Sequence, residues 1–277
     1  MKAFFEPLKE MRDFEQIRED ISNNRLPVHV DGCIDSQKSH FIAALSQAYK
    51  YKIIVTYSEN RAREIYEDYR FFDKNTLIYP AKDVIFYNAD IHGNLIISQR
   101  LAVIRKLLDG EPVTVITTLD ALMDRILPLS HAAKYMLIIG EGDVVDLDAV
   151  KVRLVNMGFE RVGQVEHPGQ FAIRGGIIDI YNMSDECPYR IELWDDEVDS
   201  IRSFDVDSQR SIERCESFTV YPASEYIFNA PVIEAGLAGM RRELEQTVKT
   251  MKKQGQGEAA AHLEQTIAQV SEDLESS

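Results

Sequence analysis

The sequence predicts an α/β protein: a parallel-sheet domain, an inserted smaller α+β domain, and a helical hairpin at the end. Three patterns carry this reading. Up to residue 127, short β-branched runs alternate with helical periodicity, as parallel strands joined by crossover helices do. Between 128 and 222 the alternation gives way to short strands separated by turn residues. From 223 to 277 apolar residues recur at three- and four-residue spacing, the helical period. With 277 residues, 45% of them hydrophobic, the chain can bury more than one core.

The elements follow in order. Phe14, Ile17 and Ile21 fall at helical spacing behind Asp13, giving a first helix over 13–23. VHV at 28–30 reads as a strand, followed by a helix over 37–48, the strand KIIVT at 52–56 and a helix opened by Ser58. TLIY at 76–79, a helix over 94–108 and VTVIT at 113–117 continue the pattern. These strands are nearly all apolar, as expected when helices cover both faces of a sheet. Thr118 caps a helix that stops before Pro128. The middle segment offers a helix over 147–157 and strands near 161–165, 170–174, 177–181, 189–194, 198–204 and 217–221. Ile233, Leu237, Met240, Leu244, Val248 and Met251 mark one terminal helix. Leu263, Ile267, Val270 and Leu274 mark another, with Gly255 and Gly257 in the turn between them. The second stripe needs a surface to cover it and EDLESS carries no stop signal, so the chain reads as part of a longer protein.

Composition narrows the function. Lys and Arg number 31 against 46 Asp and Glu, a formal charge of −15, the wrong sign for gripping phosphate backbones unaided. A protein partner fits better. Cys33, Cys187 and Cys215 are odd in number and lack CxxC spacing, which points to a reducing cytoplasm rather than a disulfide framework or zinc site. No signal-peptide core and no run approaching the ~20 apolar residues of a membrane span is present, so no membrane partner is expected.

The chemical motifs are few. Gly32, Lys38 and Ser39 satisfy the P-loop pattern G-x-x-x-x-G-K-[ST], but Gln37 stands where the second glycine lets backbone N–H groups close around phosphates. YMLIIGEGD (135–143) offers Glu141 and Asp143, split by a glycine, in place of an acidic pair for a magnesium ion. A nucleotide-free relic outweighs a working ATP site, and no cofactor is expected in these residues. Asp195, Asp196, Glu197 and Asp199 lack the spacing of a calcium loop and read as a hairpin turn. The six histidines include no pair at metal-ligand spacing, and nothing argues for covalent catalysis.

The basic residues of the middle segment are scarce and therefore informative. Strand alternation puts Ala172 and Arg174 on one face, opposite Phe171 and Ile173, and puts Asp179 and Tyr181 on a shared face of the next strand. Arg161, Arg174, Asp179 and Tyr181 are the candidate partner-binding residues, because Arg and Tyr anchor protein interfaces. A cross-strand ion pair between Arg174 and Asp179 accounts for the same residues equally well.

The block QFAIRGGIIDIYNMSDECPYRIELWDDEVDSIRSFDVDSQRSIE resembles the signature of bacterial transcription-repair coupling factors and, more weakly, of the excision-repair protein UvrB. YPAKDVIFYNADIHGNLIISQRLAVIRKLL extends the resemblance. UvrB has an intact P-loop and a tyrosine-rich hairpin for damaged DNA; here Gln37 interrupts the first, and DVIFYNADIHGN stands in place of the second. The resemblance implies a helicase-like parallel-sheet domain with a degenerate nucleotide site and an inserted UvrA-binding domain. It implies an adaptor, itself non-catalytic, that recruits UvrA to stalled RNA polymerase. The motor domains of the parent protein would use ATP and magnesium and engage DNA, and intramolecular contacts would restrain the parent. Arg174 matches an arginine that contacts UvrA, Arg161 occupies the matching earlier position in UvrB, and Tyr181 aligns with an aromatic of that surface. Ala172 stands where UvrB has a further arginine. A UvrB-type ATP-dependent helicase domain is the alternative.

Overall fold

The structure, a computed structural model, describes residues 2–82, 90–227 and 230–276. Helix α1 (Lys2–Phe5), a 3-10 turn (Glu6–Glu10) and α2 (Arg12–Ser22) precede α3 (Asp35–Leu45). Strands β1 (Tyr51–Thr56), β2 (Thr76–Tyr79) and β3 (Val113–Thr118) form a parallel sheet in the order β1-β3-β2. Helices α4 (Glu59–Tyr69) and α5 (Asp90–Leu108) make the crossovers. Ser58 caps α4, its hydroxyl accepting from the Arg61 N–H, and Thr118 does the same for α6 (Leu119–Met123) through the Ala121 N–H. Ile54 and Ile116 pack against Ala62 and Tyr69 on one face of the sheet, and Val113, Val115 and Tyr79 pack against Val103 of α5 on the other.

Residues 28–30 are not a strand. The apolar pattern is present, but strand propensity is realised only where a neighbour supplies hydrogen bonds, and among the described residues no strand pairs with this segment. β1 is accordingly an edge, and Ile53, Val55 and Tyr57 are exposed along it. The UvrB-like hairpin position falls largely on residues 83–89, outside the described residues; 90–94 already belong to α5.

Helix α7 (Leu129–Tyr135) leads into the middle domain, whose first strand, β4 (Leu137–Gly140), pairs antiparallel with its last, β11 (Ser217–Val220). Between them lie α8 (Leu147–Asn156) and a six-stranded sheet in the order β10-β9-β8-β7-β6-β5. Its strands are β5 (Glu160–Arg161), β6 (Gln170–Arg174), β7 (Ile177–Ile180), β8 (Tyr189–Trp194), β9 (Glu197–Phe204) and β10 (Ser211–Cys215). The expected strand over 161–165 shrinks to the two-residue β5, parallel to β6, because Val162 and Val165 turn onto the sheet instead. The polar strand β10 and the short β4 were absent from the sequence pattern. Alternation sends Phe171, Ile178, Ile180, Ile191 and Ile201 to one face, where Val150 and Leu154 of α8 cover them.

Helix α5 serves both domains. Val103 faces the parallel sheet, whereas Leu101 and Ile104 enter the middle domain's core. At this junction the fully buried Arg100 donates from Nε to Glu225 Oε1 (2.7 Å) and from Nη1 to the Pro80 carbonyl (2.7 Å), and its guanidinium lies over the Tyr79 ring. Asp124 Oδ2 is 3.1 Å from Nη1 without a hydrogen bond, so that contact is purely coulombic. Lys82 reaches Glu225 Oε2 at 2.6 Å, and the Tyr79 hydroxyl donates to Oε1 at 3.1 Å. One turn further along α5, Arg105 pairs with Asp185 and lies over the Tyr221 ring. The Tyr221 hydroxyl donates to Asp109 at 2.7 Å.

Two long helices end the chain, α9 (Ala230–Lys253) and α10 (Gly257–Ser276). Gly255 takes a φ of +76° in the turn between them, a conformation glycine adopts without a steric cost. Leu237, Val248 and Ala260 are buried within the hairpin. No described helix is long and apolar enough to cross a membrane.

Removing one partner of a buried ion pair leaves an uncompensated charge. Arg100→Met should therefore lower the unfolding free energy by about 3–5 kcal/mol, measured by urea denaturation. Burial first, and then the bond to Asp109, push the Tyr221 phenol up to about 12 from its ordinary 10.0. The folded protein keeps that proton when the unfolded chain has lost it, so the contribution is complete below pH 10 and disappears as pH rises from 10 to about 12. Tyr221→Phe should flatten that part of the stability profile.

Candidate partner-binding face

The face of the six-stranded sheet turned away from α8 carries the charged residues. Ala172 pairs with Asp179 and Arg174 with Ile177 across β6 and β7, and Asp179 pairs with Arg190 across β7 and β8. One carboxylate consequently lies between two guanidiniums. Arg190 donates bidentately, Nε to Asp179 Oδ1 at 2.7 Å and Nη2 to Oδ2 at 2.9 Å, while Arg174 Nη2 reaches Oδ2 at 2.5 Å. Arg190 also donates to Gln209 Oε1 and lies over the Phe204 ring. Its bond to Asp179 raises the Arg190 pKa against the opposing effect of burial, so the group stays cationic. The two arginines and one aspartate leave a net positive cluster on an acidic protein.

Exposure separates the four residues expected to form this surface. The Arg174 side chain is 42% exposed, whereas that of Asp179 is 1% exposed. Tyr181 is buried too, in a cluster with Val165 and Ala172, and its hydroxyl donates to the Glu186 carbonyl at 2.9 Å. Burial raises the Tyr181 pKa. The surface positions expected for Asp179 and Tyr181 are thus corrected: Val162 and Val165 pack with Tyr181, and Arg174 and Arg190 close over Asp179.

Arg161 is exposed, but not beside Arg174. Phe159 enters the main core and Val162 packs on the Val165 cluster, so alternation puts Arg161 on the core side of the sheet edge. The ion pair that competed with a docking role for Arg174 does form, and it leaves nearly half of that side chain accessible.

Two residues escaped the sequence reading. Arg190 shares a face with Glu192 and Trp194 along β8, and the chain's one tryptophan is 81% exposed. The signal was available: PYRIELW alternates cleanly and ends in a turn, which leaves its last aromatic without a core. The β6–β7 turn lies at the same end of the sheet. Gly175 adopts φ +60° there, and a Cβ on Gly176 would come within 3.0 Å of the Leu193 carbonyl. Arg174 and Trp194 therefore flank a turn kept flat by two glycines. Asp195, at φ +60°, opens the β8–β9 turn, and among the described residues no acidic, cysteine or histidine group is arranged to hold a metal.

The P-loop-like segment is organised around its own side chains. Gly32 has φ +77°. Gln37 Oε1 accepts the Ile34 N–H at 3.2 Å, taking up a donor that such a loop would aim at phosphate. Lys38 Nζ is 3.1 Å and Arg61 Nη2 2.9 Å from Asp35 Oδ1. Lys38 first, then Arg61, lower the Asp35 pKa. Ser39 is buried.

Residues 137–226 match the family model described as the UvrB interaction domain. The matched residues span the middle domain, from the start of β4 to just past β11. Over most of its length the chain is also similar to transcription-repair-coupling factors. Identity to that of Bacillus subtilis strain 168 is 34% over 247 residues, covering 86% of this chain and 21% of the relative. For Staphylococcus aureus strain Mu50 it is 33% over 224 residues, 80% and 18% respectively. The chain spans about a fifth of the length of these relatives.

Titration with a fluorescent ATP analogue in magnesium should show affinity no better than a Kd of about 1 mM. Saturation well below that would show that the Asp35 and Gln37 contacts open to admit phosphate.

Proposed function

We propose that this chain is a non-catalytic adaptor module of a transcription-repair coupling factor, and that its middle domain docks UvrA. The observation that carries this is the pairing of a half-exposed, salt-bridged arginine with an exposed tryptophan at one end of the UvrB interaction domain's sheet. Tryptophan and arginine dominate the energetics of protein interfaces. The glycine turn between them lets a partner's backbone approach closely. Similarity to the coupling factors supports the wider role, bringing UvrA to stalled RNA polymerase in nucleotide excision repair. Contacts with polymerase and DNA, and ATP-driven translocation, would belong to other parts of the parent protein, against which this module packs as a restraint. The UvrB-type helicase reading is weakened by Gln37, which stands in place of the second P-loop glycine and accepts the Ile34 N–H, and by Asp35, which pairs with Lys38.

Calorimetric titration with purified UvrA tests the docking face. Arg174→Ala and Trp194→Ala should each weaken binding by ~1–2 kcal/mol, a five- to thirtyfold loss of affinity. Arg161→Ala, on the other side of the sheet edge, should cost less than about 1 kcal/mol. Unchanged affinity in the Arg174→Ala, Arg161→Ala double variant would sink the proposal.

A further inference from the structure

We infer that Asp179 is a positioning residue for the docking face: it touches no partner and acts by holding the Arg174 guanidinium in its binding orientation. This rests on the docking reading above and concerns how the same face works.

Asp179 is almost wholly buried, so a partner reaches it only by displacing Arg174 or Arg190. Its carboxylate is gripped from behind by Arg190, which Phe204 and Gln209 fix in turn. Arg174 approaches Oδ2 end-on through Nη2, while its Nη1 lies 3.4 Å from the Gly163 carbonyl. Two of the five guanidinium N–H groups are thereby directed inward, and the remainder stay available to an acceptor on a partner. A free arginine would have to be immobilised on binding, whereas this one is already restrained. The chain of support runs from Phe204 and Gln209 through Arg190 and Asp179 to Arg174, and every link is already made in the folded chain.

A double-mutant cycle on the full chain with UvrA separates positioning from scaffolding. Asp179→Asn should weaken binding about three- to tenfold, the cost of ordering one rotamer-rich side chain, when Arg174 is present. In the Arg174→Ala background the same change should have little effect. Equal losses in both backgrounds, or no loss with Arg174 present, would overturn the inference. An Arg174→Ala variant that binds UvrA normally would instead overturn the docking reading itself. Should Asp179→Asn fail to fold, nitrogen-15 relaxation of the Arg174 Nε in the unaltered chain decides. Order comparable to that of Arg190 is expected, and mobility like that of the exposed Arg210 would overturn it.

Discussion

The buried pair of Arg100 and Glu225 is the contact on which the relation between the two domains depends. Arg100 comes from α5 and Glu225 from the chain just after the middle domain's last strand, so the pair ties the point of return to the helix that preceded the excursion. Burying both charges carries a desolvation cost that only good geometry and further partners offset. Here Pro80, Tyr79 and Lys82 supply them. Such a pair tolerates little displacement, which makes it better suited to fixing an arrangement than to adding net stability. Because Leu101, Val103 and Ile104 of α5 divide between the two cores, a shift at Arg100 would be felt in both.

Sequence periodicity revealed most elements because their faces are unequal. β6, β7 and β8 have apolar residues on one side and charge on the other, and α4 and α6 carry their capping residues at the expected positions. The failures have physical causes. VHV looks like a strand but lacks a neighbour, and SIERC of β10 looks like a loop yet is held by β9 through a register shift. A polar edge strand depends on the partner's hydrogen bonds, which local composition does not report.

The docking face was legible only in part, for a related reason. Alternation correctly placed Arg174 and Asp179 together, but the burial of Tyr181 depends on Val162 and Val165, whose course no strand pattern gives, and that of Asp179 on a second arginine. Tyr181 was read as a surface aromatic and is covered, whereas Trp194 is the exposed one. Arg190 joined the cluster only once the β7–β8 register was known. The result is a small cationic feature on a chain of net charge −15, which makes its location more selective than its magnitude.

The ribbon of β4 and β11 has a consequence of its own. The middle domain's polypeptide arrives and leaves side by side, Leu137 opposite Val220 and Gly140 opposite Ser217, so the chain enters and leaves it at a single seam. A unit closed in this way can change its loops without disturbing the sheet that carries it. The boundaries of the matched family region, 137 and 226, fall beside that seam.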